Sequence, residues 1–433
     1  MNFDAVSWLN DLATRPQKNI HESIRIQHLQ QLRALLEHFD SPEKEKNILH
    51  IAGSKGKGST AAFLANTLQA LGYSVLLFTS PHVFDISERF LLNGKPVSKE
   101  KWHSLLKEIH NTGVENLGYF DILTALAFVI WQELDAHYLV LETGIGGRLD
   151  ATNICRPEAV ILTEIELEHT QILGPTLAHI AREKAGIMKP DIPVFCASQV
   201  PETLKVLQEQ AMEKHAPFFY LPAYGQAHII GYEQQNHQWY QSGQFCLGEE
   251  YCYELPMKMM GYKQAGNALL ALLCLRHILD KTSWHTLEQA WTHSLCHSSL
   301  PGRFEIIGTK PLKVLDGCHT PQSMEQTVQT WTDLAGTQGL LIFTCRPDKN
   351  ILGMMPYFKN FSKIVLTGNT EYMRKITQKV QNQFPQAIYL CEEEACIYAQ
   401  KYAKQMPTLV AGSFYSLAAM KACLQEDQRV DLL

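Results

Sequence analysis

The feature that most constrains this chain is a glycine-rich segment between a strand-like run and a helical run. Residues 47–52 predict a buried strand, and residues 59–71 predict a helix. A glycine-rich turn at such a junction directs several backbone N–H groups toward one point, where the helix N-terminus adds partial positive charge. We therefore predict that the segment binds phosphate. Its residues are Gly53, Ser54, Lys55, Gly56, Lys57, Gly58, Ser59 and Thr60.

The spacing of this loop differs from the common G-x-x-x-x-G-K-[ST] pattern. Gly58 separates Lys57 from Ser59, so the match to that pattern is imperfect. The physical parts are nevertheless present, since the segment supplies flexible backbone, hydroxyl groups and one lysine able to meet the outer phosphates. Its placement between a strand and a helix favours a phosphate site over a glycine turn without a ligand.

Polar residues follow three further predicted strands. The strands are predicted at residues 74–79, 137–142 and 159–163. The carboxyl ends of parallel strands meet at one edge of a sheet, and ligands bind at that edge. Ser80 and Glu142 lie at the ends of the first two strands, and His169 lies in the segment after the third. We expect these three residues to converge on a divalent cation beside the bound phosphates.

The alternation of strand-like and helical segments predicts an α/β fold in two domains. A chain of 433 residues exceeds the usual size of one domain, so we expect two packed cores. Turn-forming residues at 298–302 mark the predicted boundary between domains 1–298 and 299–433. We expect a mostly parallel sheet in the first domain, with an antiparallel extension from strands between 218 and 260, and a smaller doubly wound sheet in the second.

Charge and composition argue against several classes of function. A net charge of -6 argues against a broad nucleic-acid surface and favours small anionic ligands. The chain shows neither a secretory signal pattern nor an apolar run of membrane-spanning length, so we expect a cytoplasmic protein without a membrane partner. Its 11 cysteines are scattered without a zinc-binding pattern, and we expect reduced thiols.

A series of short motifs follows the loop in a fixed order along nearly the whole chain. They are SPH at 80–82, ER at 88–89, FDILTA at 120–125, ETGIGGRLDATN at 142–153, EHT at 168–170, EKAGI at 183–187, PGR at 301–303, LDGCH at 315–319 and GS at 412–413. In these motifs and their order, the chain resembles the folylpolyglutamate synthases and the bifunctional dihydrofolate synthase/folylpolyglutamate synthases of the Mur ligase superfamily.

The resemblance implies both a fold and a reaction. The implied fold is a P-loop, Mur-ligase-like ATP-binding domain over 1–298 with a mostly parallel sheet, and a smaller Rossmann-like glutamate-ligase domain over 299–433. The implied reaction transfers the γ-phosphate of ATP to a pteroate or folate carboxylate, and the amino group of glutamate then attacks the acyl phosphate. Phosphorylation is needed because a carboxylate has a poor leaving group, and Mg²⁺ offsets charge on the transferring phosphoryl group.

The resemblance also implies the cofactors, the partners and the oligomeric state. The implied cofactors are ATP and Mg²⁺, with K⁺ as a further candidate ion. The implied substrates are dihydropteroate or a reduced folate, together with L-glutamate. We expect a monomer that binds neither nucleic acid nor membrane.

Individual site residues are implied by the positions that match the family's motifs. Catalytic roles are implied for Lys57, His169 and Lys184. Lys184 matches a lysine that is carbamylated in relatives, which would convert a cation into an anion able to support a metal. The implied metal ligands are Ser80, Glu142 and His169. The implied ATP contacts outside the loop, several of them across the cleft between domains, are Asn267, Arg303, Asp316 and His319. The implied substrate contacts are Arg89, Phe120, Asp150, Thr152 and Ser413.

Several positions differ from the pattern usual in this family. The differing residues are Ser54, Lys55, Glu168, Cys318, Thr320 and Asn350. They leave open a related ligase that joins another amino acid to another carboxylate. A non-catalytic nucleotide-binding homologue is a further alternative, and such a protein would be expected to lack the metal set. Ser80, Glu142 and His169 are all present.

Overall fold

The computed structural model describes residues 4–14, 22–249, 251–368 and 371–430. The chain divides into two units, each with its own core. The first comprises Met1–Ala227, Phe245–Tyr253 and Ala265–Ser294, and the second comprises His228–Gln244, Glu254–Gln264 and Leu295–Leu433. The assignment of domains to 1–298 and 299–433, which used a single boundary, stays a prediction.

The first unit is built on a sheet of eight strands. They are β1 (Ile48–Ala52), β2 (Val75–Phe78), β3 (Phe90–Leu92), β4 (Lys95–Pro96), β5 (Tyr138–Glu142), β6 (Ala159–Leu162), β7 (Val194–Cys196) and β8 (Phe218–Tyr220). Their order is β4-β3-β2-β5-β1-β6-β7-β8, and only the pairs that involve β3 and β4 are antiparallel. Every residue of β1 and β5 is buried. Burial on both faces explains the continuous apolar runs of these strands.

Helices cover the apolar side chains of this sheet. They are α1 (Ala5–Thr14), α2 (Glu22–Leu36), α3 (Lys57–Ala70), α4 (Lys99–Asn111), α5 (Tyr119–Glu133), α6 (Thr170–Leu173), α7 (Leu177–Ala185), α8 (Pro201–Glu213), α9 (Leu221–Tyr224), α10 (Gln264–Ile278) and α11 (Trp284–His297). One apolar cluster joins α1, α2, α4 and α5 to β2 and β5, and another joins α7 and α8 to β6 and β7. Short 3-10 helices lie at Glu37–Phe39, Pro42–Lys44, Ile86–Arg89 and Ala151–Ile154.

Three long strands form a second sheet of their own. They are β9 (Gly225–Gln235), β10 (Gln238–Leu247) and β11 (Tyr251–Met257), in the order β11-β10-β9. The expectation that strands between 218 and 260 extend the large sheet is therefore wrong for these three. Only β8 joins the large sheet, and it runs parallel to β7. Short turns between consecutive strands let this segment complete its hydrogen bonds locally.

The second unit contains a six-stranded sheet near the end of the chain. Its strands are β12 (Glu305–Thr309), β13 (Leu312–Asp316), β14 (Gly339–Phe343), β15 (Phe361–Leu366), β16 (Ala387–Tyr389) and β17 (Thr408–Ala411), in the order β12-β13-β17-β14-β15-β16. Only β12 is antiparallel to its neighbour. The helices are α12 (Pro321–Ala335), α13 (Ile351–Met354), α14 (Glu371–Gln381), α15 (Glu392–Tyr402) and α16 (Phe414–Val430), with a 3-10 helix at Met355–Asn360.

The predicted α/β class is confirmed, with a large, mostly parallel sheet and a smaller parallel-rich sheet in the C-terminal part. The strand, loop and helix predicted around residues 47–71 are present as β1 and α3, with boundaries shifted by one or two residues. In the described ranges, the helices lack the combination of length and apolarity that crossing a bilayer requires.

The prediction of reduced cysteines is wrong for four of them. Cys246 is bonded to Cys252, and Cys396 is bonded to Cys423. The first pair links β10 to β11, and the second links α15 to α16, so folding brings together residues that the sequence separates by six and 27 positions. The free cysteines among the described residues are Cys155, Cys196, Cys274, Cys296, Cys318, Cys345 and Cys391.

Candidate active site

Two glycines in the loop after β1 hold positions that have no space for a side chain. Gly53 and Gly56 have φ angles of 154° and 85°, which residues with a Cβ rarely adopt. A Cβ on Gly53 would lie 1.8 Å from Thr163 Oγ1, and a Cβ on Gly56 would lie 2.4 Å from Asn267 Oδ1. The loop therefore packs against the end of β6 and against α10. This contact places Asn267, a predicted nucleotide contact, directly beside the loop.

Hydrogen bonds tie the first half of the loop to the segment after β6. The N–H groups of Ser54 and Lys55 donate to the carbonyl oxygen of Glu164 at 2.8 and 3.1 Å. The hydroxyl of Ser54 donates to the carbonyl oxygen of Glu166 at 3.2 Å. Because these groups are used within the protein, a phosphate would meet the N–H groups of the first turn of α3 instead, where helices leave donors without intrahelical partners.

The rest of the predicted loop forms that first turn. The N-cap of α3 is Gly56, and the turn contains Lys57, Gly58, Ser59 and Thr60. The last three of these residues are buried. Small residues at these positions keep the helix start close to β1, so its N-terminal dipole is directed at the space outside the loop.

Lys57, Glu142 and Ser80 meet at the carboxyl ends of β1, β5 and β2. Lys57 Nζ donates to the carbonyl oxygen of Gly53 at 3.2 Å and lies 3.9 Å from Glu142 Oε1. Glu142 Oε2 accepts a hydrogen bond from the backbone N–H of Ser80 at 3.0 Å. Glu142 is only 2% exposed, so its charge depends on these partners for compensation. The structure thus brings together three of the residues predicted from separate motifs.

The donor chemistry of this group fits a hard cation. Mg²⁺ is usually bound through one or two carboxylates and by phosphate oxygens. Glu142 has a carboxylate, and Ser80 has a hydroxyl oxygen, which is also a hard donor. His169 stands at the N-cap of α6 with a φ of 47° and an exposed side chain. Within the described part of the chain, no group of three or more His, Cys, Asp or Glu side chains is arranged to hold a metal. A joint site of His169 with Glu142 and Ser80 stays a prediction.

Lys184 is a buried lysine that contacts the same loop. Its side chain extends from the last turn of α7 and is 1% exposed as a residue. Nζ donates to the carbonyl oxygen of Gly53 at 2.6 Å and to Glu168 Oε1 at 3.1 Å. Burial lowers the pKa of Lys184 to about 8, because desolvation disfavours the ammonium form. Burial also opposes ionisation of Glu168, but the charges of Lys184 and Lys57 outweigh it and lower its pKa to about 2.

The loop after β5 packs closely on the end of α7. A Cβ on Gly147 would lie 2.8 Å from the carbonyl oxygens of Glu183 and Lys184, and a Cβ on Gly186 would lie 2.3 Å from Arg148 Cβ. The N–H of Arg148 donates to the carbonyl oxygen of Glu183 at 2.7 Å. These contacts fix the position from which α7 presents Lys184.

Two predicted substrate contacts lie near the start of α5. Arg89 is 7% exposed, donates from Nε to His82 Nδ1 at 2.9 Å, and holds its guanidinium 5.8 Å from the ring centre of Tyr119. Burial and then the charge of Arg89 lower the pKa of His82, which keeps that imidazole neutral and able to accept. Phe120 follows Tyr119, and a Cβ on Gly144 would lie 2.8 Å from its ring. Phe120 therefore rests on the loop after β5.

Asp150 and Thr152 are used inside the protein. They are 6% and 0% exposed. The carboxylate of Asp150 accepts the N–H groups of Gly144 and Ile145 at 3.0 Å each, and it accepts the hydroxyl of Thr152 at 2.5 Å. Burial raises the pKa of Asp150, although these hydrogen bonds oppose the rise. Direct contact of either side chain with a substrate stays a prediction, while the structure gives both a part in shaping the loop.

Two predicted nucleotide contacts of the second unit lie close to the end of β13. The guanidinium of Arg303 lies 4.3 Å from the ring centre of Phe414. Asp316 is partly buried and accepts the N–H groups of Phe304 and Cys318 at 2.7 and 2.8 Å. Burial raises the pKa of Asp316, although the hydrogen bond from Phe304 and the charge of Arg303 oppose the rise. Arg303 and Asp316 therefore interact electrostatically.

The remaining predicted residues of the second unit follow β13 and β17. His319 Nδ1 donates a hydrogen bond to the carbonyl oxygen of Gly317 at 2.7 Å, because a carbonyl oxygen can only accept. Ser413 follows the end of β17. Thr320, which differs from the family's usual residue, is the N-cap of α12, and Asn350 is likewise the N-cap of α13. Both residues therefore satisfy backbone N–H groups at helix starts.

Sequence reasoning missed two parts of this site. One is the ion pair of Lys184 with Glu168, whose members lie 16 residues apart. The other is His50, which is fully buried in β1 and bonded to Thr152. The signal for His50 was a single polar residue within the apolar run at 48–52.

Comparisons with known proteins identify the family of both parts of the chain. The family model for the Mur ligase middle domain matches residues 51–275, and the model for the Mur ligase glutamate ligase domain matches residues 302–414. The dihydrofolate synthase/folylpolyglutamate synthase of Bacillus subtilis is 33% identical over 357 residues, which cover 80% of this chain and 82% of that protein. The folylpolyglutamate synthase of Lacticaseibacillus casei is 26% identical over 413 residues, which cover 90% and 92%.

A solved structure shares the fold over almost its full length. It is the Mycobacterium tuberculosis folylpolyglutamate synthase complexed with ADP, which superimposes with a TM-score of 0.83 at 24% sequence identity. The superposition covers 97% of this chain and 99% of that chain.

Replacement of Gly53 tests whether the tight packing of the loop controls nucleotide binding. We expect Gly53→Ala to weaken ATP binding by roughly tenfold or more, because the new methyl group must displace Thr163 and distort a loop held at positive φ. Gly266→Ala is the matched control, since a Cβ at that helical glycine meets nothing within 4 Å. Calorimetric titration of both variants with ATP measures the effect, and equal affinities would contradict the assignment of the loop.

Proposed function

This chain belongs to the Mur ligase family of ATP-dependent ligases, and we propose that it joins L-glutamate to dihydropteroate, to a reduced folate, or to both. The observation that supports this most is the meeting of Lys57 and Lys184 at the carbonyl oxygen of Gly53. Lys57 places a cation beside the start of α3, which suits the transfer of a phosphoryl group from a polyphosphate to a carboxylate, and Lys184 is a second cation there as long as it is not carbamylated. We choose pteroate and folate acceptors because the relatives in B. subtilis and L. casei are a dihydrofolate synthase/folylpolyglutamate synthase and a folylpolyglutamate synthase.

The proposed reaction consists of two displacements. An oxygen of the acceptor carboxylate attacks the γ-phosphorus of ATP, the bond from phosphorus to the bridging oxygen breaks, and ADP leaves. The amino group of glutamate then attacks the acyl carbon, inorganic phosphate leaves, and the nitrogen loses one proton as the amide forms. Positioning and charge stabilisation dominate transfers of this kind.

The roles of individual residues in this reaction follow from their places around the loop. We assign the outer phosphates to Lys57 and to the N–H groups of the first turn of α3. Glu142 and Ser80, with His169 as the predicted third ligand, would hold Mg²⁺, which neutralises phosphate charge when bound. The proposed nucleotide contacts are Asn267, Arg303, Asp316 and His319. The proposed substrate contacts are Arg89, Phe120 and Ser413, with Asp150 and Thr152 acting from within the loop after β5.

Several finer features belong to the same proposal. We keep 1–298 as the ATP-binding domain and 299–433 as the glutamate-ligase domain. K⁺ stays a predicted ion, and a cytoplasmic monomer without nucleic-acid or membrane partners stays the predicted state. The net charge of -6 supports the absence of nucleic acid.

Carbamylation of Lys184 is a further part of the proposal. A neutral amine adds CO₂ and releases a proton, so the reaction requires an unprotonated lysine. Burial lowers the pKa of Lys184 to about 8 and thereby supplies that form near neutral pH. The carbamate would face Glu168, which lies 3.1 Å from Nζ. Because two anions repel at this distance, a cation such as Mg²⁺ or Lys57 would have to stand between them.

Product analysis tests the proposed activity. We expect ADP release and a glutamate-containing amide only when ATP, Mg²⁺, glutamate and either dihydropteroate or tetrahydrofolate are present together. Lys57→Ala should lower turnover by roughly a hundredfold or more, because it removes a charge from the transferring phosphate. Lys375→Ala, at a lysine whose side chain is 72% exposed and paired within α14, should leave turnover unchanged.

Mass spectrometry of the products distinguishes the possible outcomes. The absence of an amide with both acceptors would contradict the folate assignment. Glutamate-independent ATP binding without turnover would favour the non-catalytic homologue, and an amide formed with another amino acid would favour a related ligase.

Carbon-13 NMR tests the carbamylation of Lys184 separately. In ¹³C-bicarbonate above pH 8, we expect one carbamate signal from the unchanged protein, since the neutral fraction of Lys184 rises as pH passes about 8. Lys184→Ala should lose the signal. Lys189→Arg is the matched control, because burial also lowers the pKa of Lys189, and it should retain the signal. A signal that persists in Lys184→Ala would contradict carbamylation at this residue.

A further inference from the structure

His50 is a fully buried polar residue in the strand that leads to the phosphate loop. It stands three residues before Gly53, and the other residues of β1 are apolar. Its Nε2 lies 2.8 Å from Thr152 Oγ1, which donates to Asp150 Oδ1 at 2.5 Å. Asp150 Oδ2 in turn accepts the N–H groups of Gly144 and Ile145. A continuous chain of hydrogen bonds therefore runs from β1 to the loop after β5.

The protons of this chain have only one arrangement that satisfies every contact. A threonine hydroxyl has one proton, and Thr152 gives it to Asp150, so Thr152 must accept from His50 Nε2–H. Nδ1 of His50 is then an acceptor, and it faces the thiol of Cys155 at 3.8 Å. Burial lowers the pKa of His50 to about 3, which agrees with a neutral ring carrying one proton. The tautomer is thus assigned by the network of contacts.

The loop held by this chain of bonds supports the acceptor side of the site. Phe120 packs on Gly144, where even a Cβ would lie 2.8 Å from the ring. Three residues later, Gly147 packs equally closely on the backbone of Lys184. Loss of the bonds to Gly144 and Ile145 would release the loop between these two contacts.

We infer that His50 is a positioning residue for ligation, which acts through Thr152 and Asp150 to fix the loop at 143–147 on which Phe120 rests. This inference rests on the proposed function and extends it to a residue outside the predicted site. It also explains why these positions hold Asp150 and Thr152. Asp150 must accept hydrogen bonds, and Thr152 must accept one from His50 and donate one to Asp150. Direct contact of these two side chains with the acceptor is the competing explanation.

Amide hydrogen exchange tests the chain of bonds without reference to activity. We expect His50→Leu to raise exchange in the peptide covering 143–150 by about tenfold, because Thr152 loses its donor and Asp150 is held less firmly. His50→Gln should restore protection, since its carboxamide N–H can reach the position of Nε2. Cys155→Ala, on the opposite edge of the ring, is the matched control and should leave exchange unchanged.

Kinetics tests what the chain of bonds positions. We expect His50→Leu to raise KM for the pteroate or folate acceptor by about tenfold, while Kd for ATP stays within about twofold. A KM equal to that of the unchanged protein would overturn the inference and favour direct contact by Thr152. A parallel loss of ATP affinity would overturn it in favour of a general structural role. His50→Met, which fills similar space without a donor and leaves Thr152 intact, replaces His50→Leu with the same expected results if the latter does not fold.

The two readouts separate this inference from the proposed function. If the unchanged protein forms no amide with either acceptor, the proposed function fails, and amide exchange still measures the chain of bonds. If the unchanged protein is active but exchange at 143–150 is the same in His50→Leu, the inference fails and the proposed function stands.

Discussion

The carbonyl oxygen of Gly53 accepts hydrogen bonds from two lysine ammonium groups, and the rest of the candidate site depends on this pair of bonds. Lys57 reaches the oxygen at 3.2 Å from the first turn of α3, and Lys184 reaches it at 2.6 Å from α7. Two cations this close repel, and the repulsion is strong where little water enters. Glu142 and Glu168 offset it from the two sides. Charges of both signs are thus concentrated at the loop. A polyphosphate that bound there would meet charged side chains that the protein already holds in position.

One edge of the large sheet supplies the parts of this arrangement. β1, β2, β5 and β6 are parallel neighbours, so their following segments emerge side by side. The segment after β6 binds the phosphate loop through Glu164, and the segment after β2 binds Glu142 through Ser80. The loop after β5 is held at one end by Asp150, which accepts the N–H groups of Gly144 and Ile145. Each of these strand ends is therefore held by a neighbouring segment of the protein.

The local structure and the sheet edge that carries the candidate site could be predicted from the sequence, but particular side-chain contacts could not. The strand, glycine loop and helix follow from short-range patterns. Parallel topology predicts that Ser80, Glu142 and His169 approach one another, and the structure joins Ser80 to Glu142. Pairs such as His50 with Thr152, 102 residues apart, depend on the register of strands and on side-chain rotamers. Apolar periodicity reports which face is buried and carries no information on such pairs. The disulfides and the separate sheet of β9–β11 escaped prediction for the same reason.

Transfer of oxygen from the acceptor to phosphate tests the acyl-phosphate reaction most directly, because only an acyl phosphate moves a carboxylate oxygen onto phosphorus. The acceptor carboxylate is labelled with ¹⁸O, the reaction is run with ATP, Mg²⁺ and glutamate, and the released inorganic phosphate is analysed by ³¹P NMR or mass spectrometry. We expect one ¹⁸O atom in each phosphate that accompanies an amide. Unlabelled phosphate released together with the amide would contradict it.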